Sequence, residues 1–211
     1  MKVMGFNGSA RKDGNTSALI QKVFEELEAE GIETKLVNLG PKSVNGCLAC
    51  MKCHENKDGH CVQKKDELND WLDEMKTCHG IILGTPVYFA GISGQIKCFI
   101  DRTGMVARAN GNMFQRKVGA GVVAVRRAGS VSAFHSLNAY FTIAEMIVVG
   151  SSYWNMGYGR DKGEVLQDDE GLQTMANLGK NMAWLIKTIE ASKETVPAPK
   201  TSIAAITSFI R

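Results

Sequence analysis

Strand-length apolar runs alternate with stretches of helical periodicity along most of this chain, and that alternation predicts a parallel sheet with helices on both faces. Residues 2–7 (KVMGFN) read as a first buried strand. Asn15-Thr16-Ser17 opens a helix whose apolar face is Leu19, Ile20, Val23, Phe24 and Leu27, and Gly31 stops it. Residues 33–39 form a second strand, followed by a loop from Lys42 to Lys65. Asp66 is placed to cap a helix to Thr77, with Leu68, Trp71, Leu72 and Met75 inward. Gly80–Gly84 is a third strand, stopped at Thr85-Pro86.

Further on, a helix runs from Gly94 to about Thr103 with Ile96, Phe99 and Ile100 on one face. Residues 117–125 make a fourth strand, Val131 to about Glu145 a helix, and Met146–Val149 a short fifth strand. Glu170–Ala191 is a long helix with Leu172, Met175, Leu178, Met182, Leu185 and Ile189 as its buried row. The pattern gives an α/β, doubly wound, five-stranded parallel sheet. The strand order 2-1-3-4-5 follows from that class rather than from periodicity. Residues 1–191 form the domain, carrying a cysteine-rich loop at 42–65, and residues 192–211 form a C-terminal extension. In it, residues 192–200 (SKETVPAPK) read as an extended linker, and Ile203, Ala204, Ala205, Ile206, Phe209 and Ile210 form an apolar tail. The tail either packs back on its own domain or reaches a neighbouring subunit.

Charge and hydropathy narrow the function classes. A formal charge of +3 with scattered Lys and Arg argues against nucleic acid as a partner. No apolar run reaches membrane-spanning length, and the N-terminus carries no signal-peptide pattern, so a cytoplasmic protein is expected. In a reducing compartment six cysteines are thiols or metal ligands rather than structural bridges.

The turn between the first strand and first helix reads Gly8-Ser-Ala-Arg-Lys-Asp-Gly-Asn-Thr-Ser17. Ser9, Thr16 and Ser17 bring hydroxyls, Asn15 an amide and Arg11 a guanidinium to a helix N-terminus, where the dipole favours an anion. The loop has neither the Gly-Lys-Ser/Thr ending of a Walker A loop nor a G-x-G-x-x-G pattern. A terminal phosphate is the expected occupant; a capped helix with a solvated loop is the plainer alternative. After the third strand, Pro86 fixes the chain, Gly91 and Gly94 admit close approach of a flat ligand, and Val87, Tyr88 and Phe89 offer backbone N–H groups and aromatic faces. Tyr88 and Phe89 read equally as core residues. Arg126-Arg127-Ala-Gly129 follows the fourth strand on the same edge.

Gly8–Ser17 and Thr85–Arg102 resemble the phosphate loop and ring loop of the NADPH-dependent FMN reductase family. That resemblance implies a flavodoxin-like fold, FMN as cofactor, an approach of Gly129 to the flavin, and a homodimer or homotetramer.

Cys47, Cys50, Cys53 and Cys61 are spaced C-x2-C-x2-C-x7-C. Three thiolates at x2 spacing wrap an iron–sulfur cubane, and a fourth completes the ligand set. The spacing resembles the iron–sulfur flavoprotein branch of the same family, which implies one [4Fe–4S] cluster beside FMN. Zinc, a dithiol redox pair at Cys47 and Cys50, and free thiols remain alternatives. No proline follows Cys61, a departure from the bacterial ferredoxin run. Cys78 and Cys98 read as small buried residues.

The expected function is oxidoreduction. Electrons would pass between a two-electron donor such as NAD(P)H and a one-electron, ferredoxin-like carrier, with no catalytic side chain assigned. Two alternatives stand beside it: an NAD(P)H-dependent FMN or quinone reductase without a cluster, and a non-enzymatic electron carrier or redox sensor.

Overall fold

The computed structural model describes residues 1–40, 44–203 and 205–207. Its elements follow the chain as β1 (Lys2–Asn7), α1 (Asn15–Ala29), β2 (Glu33–Asn38), α2 (Lys52–Asn56), α3 (Leu68–Thr77), β3 (Gly80–Pro86) and α4 (Gly94–Ala109). They continue as β4 (Val118–Val125), α5 (Ser130–Ile143), β5 (Ile147–Val148), β6 (Met156–Tyr158), a 3-10 turn at Glu164–Gln167, and α6 (Asp169–Ser192). The strands are parallel in the order β2-β1-β3-β4-β5, with β6 also beside β4.

Side chains alternate across the sheet as the pleat requires. Met4, Phe6, Ile81 and Leu83 face a core shared with Trp71, Phe99, Leu137 and Phe141. Val3, Ile82, Ala120 and Val122 face the other core, shared with Leu19, Ile20, Phe24, Leu178 and Met182. Helices α3, α4 and α5 therefore cover one face, and α1 and α6 the other. Phe6 and Phe99 stack with centroids 4.4 Å apart, which fixes α4 over β1.

Several local expectations differ from the structure. The fifth strand is split: Ile147 pairs with Val118 and Met156 with Val123, and residues 149–155 loop out between them. Buried Asn155 anchors the return, accepting from Val123 N–H through its carbonyl (2.9 Å) and from the Ser151 hydroxyl through its side chain (2.6 Å). Three residues of β6 are too few for a periodic pattern to show. The N-cap position of α3 is Glu67 rather than Asp66; Asp66 still accepts from Leu68 N–H at 3.4 Å through Oδ1, while its Oδ2 takes the buried Arg102 guanidinium. Helix α4 runs six residues past Thr103, because Val106, Ala107 and Ala109 continue its buried face.

The extension leaves α6 as an irregular segment. Arg116 donates to the Pro199 carbonyl, and Thr201 donates to Glu145 at 2.5 Å. Ile203 and Ile206 stay exposed. Lys42, Ala204, Phe209 and Ile210 lie outside the described residues. Among the described residues no helix is long and apolar enough to cross a membrane.

Candidate cofactor site

A cleft of about 230 Å³ opens at the carboxyl edge of the sheet, where β1, β3, β4 and β6 end. Ser9, Arg11, Asn15 and Thr16 form one wall, and Pro86, Val87 and Tyr88 another. Ala124 and Arg126 floor it, and Gly159 and Arg160 close the side beyond β6.

The phosphate loop is organised by a residue that sequence reasoning passed over. Asn7, fully buried at the end of β1, accepts from Ser9 N–H at 3.0 Å. Its amide donates to the Lys12 carbonyl at 3.3 Å and to the Asn38 side chain at 2.9 Å. Gly40, also unanticipated, lies so close that a Cβ there would stand 1.9 Å from the Ser9 carbonyl oxygen. The chain leaving β2 for the cysteine loop is thus pressed directly against the phosphate loop.

Helix α1 begins without a side-chain cap: its N-cap is Gly14, and no acidic residue stands in the first turn. Its first N–H groups are left for an anion. The predicted donors divide by what they already hold. The Ser17 hydroxyl donates to the Gly14 carbonyl at 2.8 Å, and the Ser9 hydroxyl accepts from Arg11 N–H at 3.1 Å. Asn15 spends its amide on the loop beyond β6, donating to the Asp161 carbonyl at 3.0 Å and accepting from Gly163 N–H at 2.9 Å. Arg11 and Thr16 border the cleft with no recorded side-chain partner among the described residues. The 159–163 loop gave no sequence signal beyond its glycines, because it reaches α1 only through the fold.

The ring loop is a tight hairpin. Tyr88 and Gly91 exchange both backbone hydrogen bonds at 3.0 Å, and Phe89 and Ala90 between them have φ of 48° and 60°. Positive φ at both central positions is the two-residue hairpin turn that Asn and Gly normally occupy, so this tip is strained. Val87 N–H is also spent, on the Ala124 carbonyl at 3.1 Å. Of the N–H groups from Val87 to Gly91 expected to meet a ligand, those of Phe89 and Ala90 alone lack a backbone acceptor among the described residues. Phe89 is fully exposed and Tyr88 is 44% exposed, so neither is a core residue. Gly129, at φ 88°, underlies the hairpin; a Cβ there would stand 2.8 Å from Ala90 Cα. It contacts the ring loop rather than lining the cleft.

The cysteine loop folds onto α4. Cys47, Cys50, Cys53 and Cys61 all border one small cavity of about 20 Å³, floored by Arg102, Met105 and Val106. All four are free thiols; Cys47 and Cys50 are exposed and Cys53 and Cys61 half-buried. Burial pushes the Cys53 thiol up. Ala49, Met51 and Lys57 take positive φ (49°, 58° and 50°), which turns the chain back on itself between the cysteines. Asn69 clasps Cys61 by both backbone groups, accepting from its N–H at 2.8 Å and donating to its carbonyl at 2.9 Å. Ala49 N–H donates to Cys47 Sγ at 3.4 Å. Among the described residues no three His, Cys, Asp or Glu converge tightly enough to hold a single metal ion.

One helix connects the two regions. Helix α4 starts just after the ring loop at its Ser93 cap, and Arg102, eight residues into it, floors the cysteine cavity. That is about 12 Å along the axis.

Residues 1–161 match the family model described as NADPH-dependent FMN reductase. The chain is 39% identical over 198 residues to an iron–sulfur flavoprotein of Methanocaldococcus jannaschii, covering 90% of this chain and 100% of that one. In fold it is similar to RosB, solved with a bound 8-demethyl-8-formylriboflavin-5'-phosphate intermediate, at TM-score 0.72 and 15% identity, covering 100% and 94% of the two chains. It is also similar to a flavodoxin from the domain Archaea, at TM-score 0.59 and 16% identity, covering 89% and 99%.

Proposed function

The chain belongs to the NADPH-dependent FMN reductase family, and from that premise we propose that it is an FMN-binding redox protein whose Cys47, Cys50, Cys53 and Cys61 hold a [4Fe–4S] cluster. The carrying observation is the uncapped N-terminus of α1, opening onto a cleft that the ring loop also lines. A phosphate monoester suits the α1 wall of this cleft, and a flat ring suits the wall made by the ring loop. Arg11, Thr16 and the free N–H groups of α1 receive the phosphate; Ser9, Asn15 and Ser17 hold the loop in shape around it. Pro86, Val87, Tyr88 and Phe89 meet the ring, with Gly91 closing the hairpin and Gly129 supporting it from below. When bound, FMN supplies hydride and electron-pair chemistry, and the cluster supplies single electrons.

The donor set fits the cluster. Four thiols and no competing carboxylate or imidazole border the cavity. The four thiolates would hold a cluster of several irons, so convergence on a single ion would not be required. With about 20 Å³ free, loading would need the exposed stretch Cys47–Met51 to stand farther from α4. The name of the Methanocaldococcus relative adds to the reading.

The partners follow from the chemistry: NAD(P)H as two-electron donor, a ferredoxin-like protein as one-electron carrier, and a second copy of the chain meeting the exposed ring-loop tip and tail. Steady-state turnover with NAD(P)H and a series of acceptors tests the enzyme reading. Absence of turnover with every donor would make the chain a carrier or sensor instead.

A further inference from the structure

Arg102 is the largest fully buried side chain among the described residues, and it sits at the floor of the cysteine cavity. It donates to the Asp66 carboxylate, to the Gln63 carbonyl at 3.1 Å and to the Asn45 carbonyl at 3.5 Å. Those carbonyls flank the cysteine loop on either side, so one guanidinium fastens both of its ends. Its Nε is buried with no acceptor. A buried guanidinium N–H left unpaired is costly, and its side chain borders the four thiols. A guanidinium stays protonated in proteins, so the positive charge is fixed. Asp66 does not border the cavity. Of the two members of the ion pair, it is the positive one that borders the cavity with the cysteines.

Resting on the cluster reading, we propose that Arg102 is the positioning residue of the iron–sulfur site: it fastens the ligand loop and supplies the fixed positive charge that favours the cluster's reduced form. A one-electron donor, itself oxidised by one electron, would add one negative charge to a cluster held by the four thiolates, with no proton moved. A desolvated cation beside them stabilises that added charge more than water would. A hydrophobic residue of similar volume would fill the same space without this effect, and a buried ion pair is weak support for a purely stabilising role.

Opposite signs separate this role from a structural one. The full chain is purified anaerobically as wild type, R102Q, R102K and D66N, with K97A as a surface control. Iron and sulfide are assayed, and each sample is titrated with dithionite and mediators while the visible spectrum is followed. R102Q is expected to disfavour reduction about tenfold, a fall of about 59 mV for one electron. D66N, which leaves the cation uncompensated, is expected to raise the midpoint, and R102K to stay close to wild type. If R102Q does not hold iron, the rise in D66N still decides. An unchanged midpoint in D66N, or movement of D66N and R102Q in the same direction, overturns the proposal. A wild-type chain with flavin but no iron overturns the cluster reading itself, and this proposal with it.

Discussion

The Ser93 hydroxyl donates to the Gly8 carbonyl at 2.6 Å, joining the helix that follows the ring loop to the phosphate loop 85 residues earlier. The same oxygen accepts from Ile96 N–H at 3.3 Å as the cap of α4. Ser93 is fully buried, so its loss uncovers a cap and an inward carbonyl together. S93A should lower stability by about 2–3 kcal/mol. It should also weaken FMN binding, because the two walls of the cleft lose their shared fastening. Urea denaturation and a fluorescence titration with FMN check both effects.

Gly40 predicts a sharper loss. A methyl group there meets the Ser9 carbonyl at 1.9 Å, against backbone that cannot swing aside. G40A should raise the Kd for FMN by at least about tenfold, or about 1.4 kcal/mol. Binding as tight as wild type would show that the phosphate is held elsewhere.

Asn15 supports the cleft from the far side through the 161–163 loop. N15A removes two hydrogen bonds, worth roughly 1–2 kcal/mol together. Since Gly159 and Arg160 close the cleft, flavin affinity should fall while the secondary structure stays intact by circular dichroism.

Cys78 gives a pH dependence. Burial raises its thiol to about 11 from 9.0, with Lys117 pulling weakly the other way. The folded chain therefore keeps a proton that the unfolded chain sheds above pH 9. The stability from this thiol is complete below that pH and is lost as pH rises towards 11. By about pH 10 the loss should be about 1 kcal/mol, and C78S should flatten it. In apo-protein at neutral pH, alkylation mapped by mass spectrometry should label exposed Cys47 and Cys50 first and Cys78 last.

The fold was legible because each main element carries its own period. Leu19, Ile20, Val23, Phe24 and Leu27 mark α1, and Gly80-Ile-Ile-Leu-Gly84 marks β3, without reference to the rest of the chain. What escaped depends on long-range contacts. Asp66 has the chemistry of a cap and accepts from Leu68 N–H, but its second oxygen pairs with Arg102, which only the fold brings from α4. Phe89 and Ala90 lack the Asn-Gly signature of their turn, so no local sequence signal marks the hairpin. Asn7, Gly40 and Gly159 shape the cleft by close approach, which no local pattern reports.

The most direct test is the composition and visible spectrum of the wild-type chain purified without oxygen. The proposed function predicts flavin bands on a broad iron–sulfur shoulder, with one FMN and about four iron and about four sulfide per chain. Full flavin with neither iron nor sulfide would contradict the cluster, and a colourless chain that takes up no FMN would contradict the function proposed for this cleft.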